Sequence, residues 1–227
     1  IMGDIDDNGD GTYTVTYVPT IAGTDNITIT LGGNEIGDSP YTSDVSFGAL
    51  AELILVGDDT DLASGGTRSV TVTLKDAYGN TITSGVESTV EVIFMQQGGQ
   101  GSITGLSTVD AANGVAEITL TGEKAGTVIL IAGTTVPTLE SNTLTFDVTV
   151  NKSALQTAVN EANGLTETDY APTNWKILEA VRAIAEEVLA NDHATQQEID
   201  DALVALQNAL AGLTVDKAGL QSAIGEA

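Results

Sequence analysis

With 227 residues the chain has room for one large domain or two modest ones, and a unit of about 100 residues can bury a workable apolar core. Its 32 acidic residues against 7 basic ones give a net charge of -25, a field that repels phosphate backbones and anionic head groups, so nucleic acid is excluded as a partner. Cysteine is absent, which removes disulfides, thiolate chemistry and cysteine zinc sites together, and no run of 18 apolar residues offers a membrane span.

The acidity is spread evenly. Residues 1–49 carry 8 acidic and no basic residues, 50–150 carry 12 against 3, and 151–227 carry 12 against 4. A disordered acidic tail would concentrate its charge in one block, so this charge belongs to the surfaces of folded modules, suited to salty or calcium-containing surroundings. The start at Ile1-Met2-Gly3-Asp4 has no basic stretch before an apolar one, and any secretion or anchoring signal is expected outside this sequence.

In chain order, residues 1–47 read as β-structure. Tyr13, Val15 and Tyr17 alternate with Thr14 and Thr16, then Ile27, Ile29 and Leu31 alternate with Thr28 and Thr30, and a short edge strand follows at 45–47. Three strands expose an apolar face that needs a second sheet, so the sequence is expected to open in mid-domain, with the covering strands before residue 1.

Residues 50–150 contain seven candidate strands, at 52–56, 69–75, 89–94, 102–105, 115–120, 126–132 and 142–150, separated by polar, Gly-rich turns. That spacing is the pattern of an antiparallel sandwich. One face of each strand should build the core: Val70, Val72 and Leu74; Val90, Val92 and Phe94; Leu144, Phe146, Val148 and Val150.

At Asn151 the apolar period changes from 2 to 3.6. Leu155 and Val159, then Leu178, Val181, Ala185 and Val188, then Ile199, Leu203, Leu206 and Leu210 recur at steps of three and four. Asn151 is placed to cap the first helix, Pro172 fits the first turn of the second, and Thr195 with Glu198 forms a capping-box pair ahead of the third. Short polar links make this an antiparallel three-helix bundle over 151–212. The stretch 151–162 then returns as 216–227 at a spacing of 65, with 6 of 12 positions identical, so a second helical module is expected to start within 213–227 and continue past the last residue.

Three resemblances follow from these residues. The segment Asp7-Asn8-Gly9-Asp10-Gly11-Thr12-Tyr13-Thr14-Val15-Thr16-Tyr17-Val18-Pro19, with Ala22-Gly23, Gly32-Gly33 and Gly37-Asp38-Ser39-Pro40-Tyr41, resembles the last strands of a filamin-type immunoglobulin-like repeat. Residues 50–150 resemble the invasin/intimin-type (Big-1) bacterial immunoglobulin-like domain through Val70 to Asn80, Thr108 to Ala116 and Ala125-Gly126-Thr127-Val128. Residues 151–212 resemble the FIVAR helical module through Leu155, Ala158, Tyr170, Pro172, Trp175, Leu189, Ala194-Thr195-Gln196 and Ile199-Asp200, with Ala171 standing where that family usually places a capping hydroxyl. These resemblances imply stalk and spacer units of bacterial surface or secreted proteins, with sugar or wall-polymer binding suggested for the helical type.

Residues that carry chemistry are few. His193 lies in the link between helices two and three with no nucleophile or orienting carboxylate in reach, and is expected to be a solvated loop residue. Asp4-x-Asp6-x-Asn8-Gly9-Asp10 spaces oxygen ligands like the start of a calcium loop, but Val15 stands where the bidentate Glu belongs, so a Gly-rich hairpin is the favoured reading. Asp58, Asp59 and Asp61 are read as a hydrated acidic loop, with calcium as the rival. Tyr170 and Trp175 are weighed as a sugar platform and as core, with core favoured. Tyr78 is expected to fold over its turn as a lid.

The expected architecture is multidomain: immunoglobulin-like all-β sandwich modules followed by an all-α three-helix bundle. The expected divisions are 1–49, 50–150, 151–212 and 213–227. The expected role is a non-catalytic spacer or stalk of an extracellular, cell-surface or secreted bacterial protein supporting adhesion, with no catalytic, cofactor-binding or metal residues assigned. Its partners are neighbouring modules of the same chain, with extracellular polysaccharide or cell-wall polymer as a further candidate and no membrane insertion. The alternative is a carbohydrate- or wall-binding accessory of a secreted polysaccharide-degrading enzyme.

Overall fold

The computed structural model describes residues 2–215. The amino-terminal region pairs six short strands two by two: β1 (Met2–Asp7) with β2 (Tyr13–Tyr17), β3 (Gly23–Ile27) with β6 (Tyr41–Val45), and β4 (Thr30–Leu31) with β5 (Asn34–Glu35). The single strand expected over 27–31 is therefore broken. Gly32 and Gly33 both take positive φ, 57° and 85°, and turn the chain so tightly that Thr30–Leu31 folds back on Asn34–Glu35. None of residues 3–49 is buried, and Ile5, Ile21 and Leu31 are 70%, 75% and 75% exposed.

The next ten strands close a two-layer, immunoglobulin-like sandwich. They are β7 (Leu50–Gly57), β8 (Leu62–Ala63), β9 (Thr67–Asp76), β10 (Glu91–Gly98), β11 (Ile103–Thr104), β12 (Thr108–Asp110), β13 (Val115–Gly122), β14 (Gly126–Thr135), β15 (Thr138–Glu140) and β16 (Leu144–Thr149). One sheet runs β11-β13-β9-β7; the other runs β12-β10-β14-β16-β8, with β15 added to β14. The three strands absent from the sequence reading, β8, β12 and β15, are two or three residues long, too short for alternation to show. Their partners define them, as Glu91 opposite Asp110 does for β12.

Between the sheets lie Val70, Val72, Leu74, Val92, Phe94, Leu144, Phe146 and Val148, all buried, while Val90 is only partly so. Each full burial of a Leu, Val or Phe contributes about 1.5–3 kcal/mol. Val150 departs from its expected place. It packs on the helical core, because β16 ends at Thr149 and the chain has turned toward the bundle by the next residue. At the opposite rim Asn113 (φ 51°) and Gly114 (φ 78°) form the two-residue turn into β13, where a Cβ on Gly114 would sit 2.3 Å from the Ile82 carbonyl oxygen.

The bundle consists of α1 (Ser153–Asn163), α2 (Pro172–Ala190) and α3 (Gln196–Ala211). Leu155, Val159, Trp175, Leu178, Ala185, Ile199 and Leu206 form its buried stripe, flanked by partly buried Val181, Val188, Leu203 and Leu210. Asn151 acts one residue earlier than a standard cap: its Oδ1 accepts the Ser153 N–H at 3.0 Å, while Lys152 occupies the cap position. The Lys152 ammonium donates to the carbonyls of Leu189 (2.9 Å) and Asn191 (2.6 Å), placing a positive charge on the negative end of α2.

Thr195 and Glu198 close a reciprocal capping box on α3. The N–H and then the hydroxyl of Thr195 hold the Glu198 carboxyl below the usual carboxylate range. Thr195→Ala is expected to destabilise the bundle by about 1 kcal/mol, measured as a shift of the denaturation midpoint with an unchanged slope. Most of the expected second helical module, residues 216–227, lies outside the described residues.

Candidate functional site at the two junctions

The turn Asp76-Ala77-Tyr78-Gly79-Asn80 ends β9 and holds the first junction. Asp76 is 1% exposed. Its Oδ1 accepts the N–H groups of Tyr78 and Asn80, both at 2.9 Å, and its Oδ2 accepts the Gly48 N–H and the Asn80 side-chain amide, both at 2.8 Å. Burial alone would raise its pKa, but these donors outweigh burial and hold the carboxyl at about 2, against the ordinary 3.8.

Asn80 carries the connection onward. Its Oδ1 accepts the Ala22 N–H at 3.0 Å and its Nδ2 donates to the Thr20 carbonyl at 2.9 Å, while Glu87 accepts the Leu50 N–H at 2.8 Å. The end of β9 and its turn thereby grip the 20–22 loop and Gly48 of the preceding region, while the Leu50–Glu87 bond fixes the start of β7 within the sandwich. The lid expected of Tyr78 is not formed. The residue is 63% exposed, because the turn directs Asp76 and Asn80 inward and leaves the residue between them facing solvent.

The second junction combines backbone and side-chain bonds. The Ala125 N–H donates to the Ala194 carbonyl at 3.3 Å, and Lys124 and Thr195 form an antiparallel bridge. The Gln196 N–H donates to Ser64 Oγ at 3.1 Å, and that hydroxyl donates to the Glu123 carbonyl at 2.5 Å. Gln196 also clasps Asn151 from both sides: its Oε1 accepts the Asn151 N–H at 2.7 Å and its Nε2 donates to the Asn151 carbonyl at 3.3 Å. His193 is more than the solvated loop residue expected, since its Nδ1 lies 3.0 Å from the Ala125 carbonyl. Its short-range role is to cross the same junction.

The two acidic loops spend their oxygens on contacts within the protein. Residues 4–10 form the β1–β2 hairpin, in which Asp7 accepts the Gly9 N–H at 2.9 Å and Asp10 accepts the N–H (3.0 Å) and hydroxyl (2.6 Å) of Thr12, so those oxygens are spent on the turn. In the 58–61 loop the centre is taken by Arg68. Its guanidinium donates to the carbonyls of Asp58 (2.6 Å), Thr60 (2.7 Å) and Asp61 (3.3 Å), and lies 4.8 Å above the Phe146 ring. The guanidinium thereby pins the backbone of the loop for which calcium was the rival reading, and Asp58, Asp59 and Asp61 are exposed to solvent. Among the described residues no three His, Cys, Asp or Glu side chains come together as a metal site.

Trp175 is 5% exposed and stacks on Tyr170 with ring centroids 6.0 Å apart, so the pair is core rather than an open sugar platform. The surface depressions are open grooves. A groove of about 500 Å³ at the second junction is lined by Glu123 and Asp200 among others, but Glu123 already accepts the Ser102 hydroxyl (2.9 Å) and Asp200 the Gln196 amide (2.9 Å). Among the described residues no helix is long and apolar enough to cross a membrane.

Two family models match separate parts of the chain. The Filamin/ABP280 repeat model matches residues 1–42 and the FIVAR domain model matches residues 151–214. Lacto-N-biosidase of Bifidobacterium longum is 44% identical over 66 residues, which is 29% of this chain and 4% of that protein. Filamin-C of Rattus norvegicus is 60% identical over 37 residues, 16% of this chain and 1% of that protein. The structure of FdeC, an Escherichia coli adhesin, aligns with a TM-score of 0.40 at 23% identity, covering 65% of this chain and 47% of that one. The chain thus spans a small part of the curated relatives it matches. It is similar to a filamin repeat at its start and to a FIVAR domain at its end, with the sandwich between them.

Proposed function

We propose that this segment is a non-catalytic spacer of a modular bacterial protein that works outside the cell, on its surface or in secretion, and that it holds distal parts of that protein at a fixed distance and angle. Its units are the carboxyl-terminal strands of a filamin-like domain (1–49), an invasin-type sandwich (50–150), a helical bundle (151–212) and the start of a second helical unit (213–227). The uncovered apolar faces of residues 3–49 fit strands contributed by a preceding part of a longer chain.

The observation that carries this reading is the pair of bonded junctions, with a buried carboxylate at one and a β-bridge at the other. Chains meant to swivel leave linkers free, whereas here 20–22, 48 and 194–196 are all bonded across units. The even negative charge keeps neighbouring units from collapsing together.

Small-angle scattering of the whole chain at low and high salt tests the reading. A stiff spacer keeps its maximum dimension as salt rises, while a flexible string extended by self-repulsion shrinks markedly. A second reading, an accessory unit beside a saccharide-acting catalytic domain, is favoured by the likeness to part of lacto-N-biosidase. In that setting the spacer mechanics are the same, and saccharide binding by the chain itself is the added expectation that a glycan array checks.

A further inference from the structure

The linker that enters the helical bundle and the one that leaves it are copies. Thr149 to Ala162 corresponds to Thr214 to Ala227 at the same spacing of 65, and 8 of these 14 positions are identical, beginning with Thr149/Thr214 and Val150/Val215. Their geometry corresponds as well. The Thr149 carbonyl accepts the Ser64 N–H at 2.8 Å, and the Thr214 carbonyl accepts the Ala171 N–H at 2.9 Å, so each threonine is tied to the unit that precedes it. Val215 continues the tie through an antiparallel bridge to Tyr170, and Asn174 Nδ2 reaches the Gly212 carbonyl at 2.6 Å and the Thr214 hydroxyl at 3.3 Å.

The two valines then differ in one respect. Val150 packs on the helical core that follows it, whereas Val215 is 62% exposed. By sequence, Leu220, Ala223, Ile224 and Ala227 fall at the offsets of Leu155, Ala158, Val159 and Ala162, the buried face of α1.

We propose that Thr214–Val215 is a docking plug whose occupant is a second helical unit opened by residues 216–227, seated on the end of the first bundle formed by Tyr170, Asn174 and Gly212. Thr214 is held by the first unit and Val215 enters the core of the second. A Thr-Val step of this kind lets the same helical unit follow either a sandwich, where the threonine joins a parallel pairing with β8, or another bundle, where the valine joins an antiparallel one. This partner assignment rests on the spacer reading and names what continues the spacer.

The test extends the full chain after Ala227 with a second copy of residues 163–215, so that 216–227 serve as the first helix of the added unit. The expected result is a near doubling of helical circular dichroism, with nuclear Overhauser contacts from the Val215 methyls to Leu220 and to the core of the added unit. Val215→Asp is expected to remove those contacts while the first bundle keeps its own spectrum. If the added unit stays unfolded, or folds while Val215 remains solvent-exposed, the plug is overturned. Neither result touches the spacer reading, which the scattering experiment decides on the unextended chain.

Discussion

Asp76→Ala is expected to lower the melting temperature of the sandwich by roughly 10 °C, because four donors then lose a charged acceptor in a buried site. The same substitution removes one of the three hydrogen bonds that hold the Asn80 side chain and the anchor of Gly48, so amides near Ala22 and Gly48 should exchange faster with solvent than those of β13. The pH dependence has a definite sign. Asp76 is held at about 2 against an ordinary 3.8, so its stabilising effect is complete above about pH 4 and disappears as pH falls toward 2. The stability gap between the natural chain and Asp76→Asn, measured by denaturant titration at several pH values, should therefore be widest at neutral pH and narrow across that window. A gap that stays constant to pH 2 would contradict the assigned role of the carboxylate.

Trp175→Ala should cost about 3–5 kcal/mol and leave the bundle largely unfolded, since this one indole joins Leu178, Ala185 and the Tyr170 ring in a core otherwise built mainly from small and aliphatic side chains. Trp175→Phe is the informative companion. Among the described residues the buried Trp175 Nε1 has no hydrogen-bond partner, so phenylalanine gives up packing area without breaking a hydrogen bond and should cost far less than alanine. Chemical denaturation followed by circular dichroism at 222 nm reports the helical unit with little contribution from the sheets. Equal losses in the two variants would contradict the packing account.

Long strands and helices were legible because their periodicity is set by burial. Val70, Val72 and Leu74 alternate, Leu155 and Val159 step by four, and each falls where that pattern places it. Three of the short strands, β8, β12 and β15, were not legible, since they exist through their partners and leave no period of their own.

The junctions were half visible. The turn around Tyr78 stood out as polar and Gly-rich, but a turn motif does not say which backbone its side chains will grip, and only the approach of residues 20–22 and 48 gives Asp76 and Asn80 that use. Val150 misled for a related reason: it continues the alternation of β16 in sequence while the chain has already left the sheet. Arg68 had no sequence signal at all. Its role depends on three carbonyl oxygens brought together by a loop, and carbonyls carry no residue identity.

The direct test of fixed junctions uses the absence of natural cysteine. Spin labels on introduced cysteines at the exposed positions Thr119 of the sandwich and Gln207 of α3 report one distance across the second junction by electron double resonance. A single narrow distance distribution, broadened when Ser64 and Gln196 are both replaced by alanine, is the result expected of a bonded junction. A broad distribution in the unaltered junction would show two units swinging on a loose tether and would contradict the account.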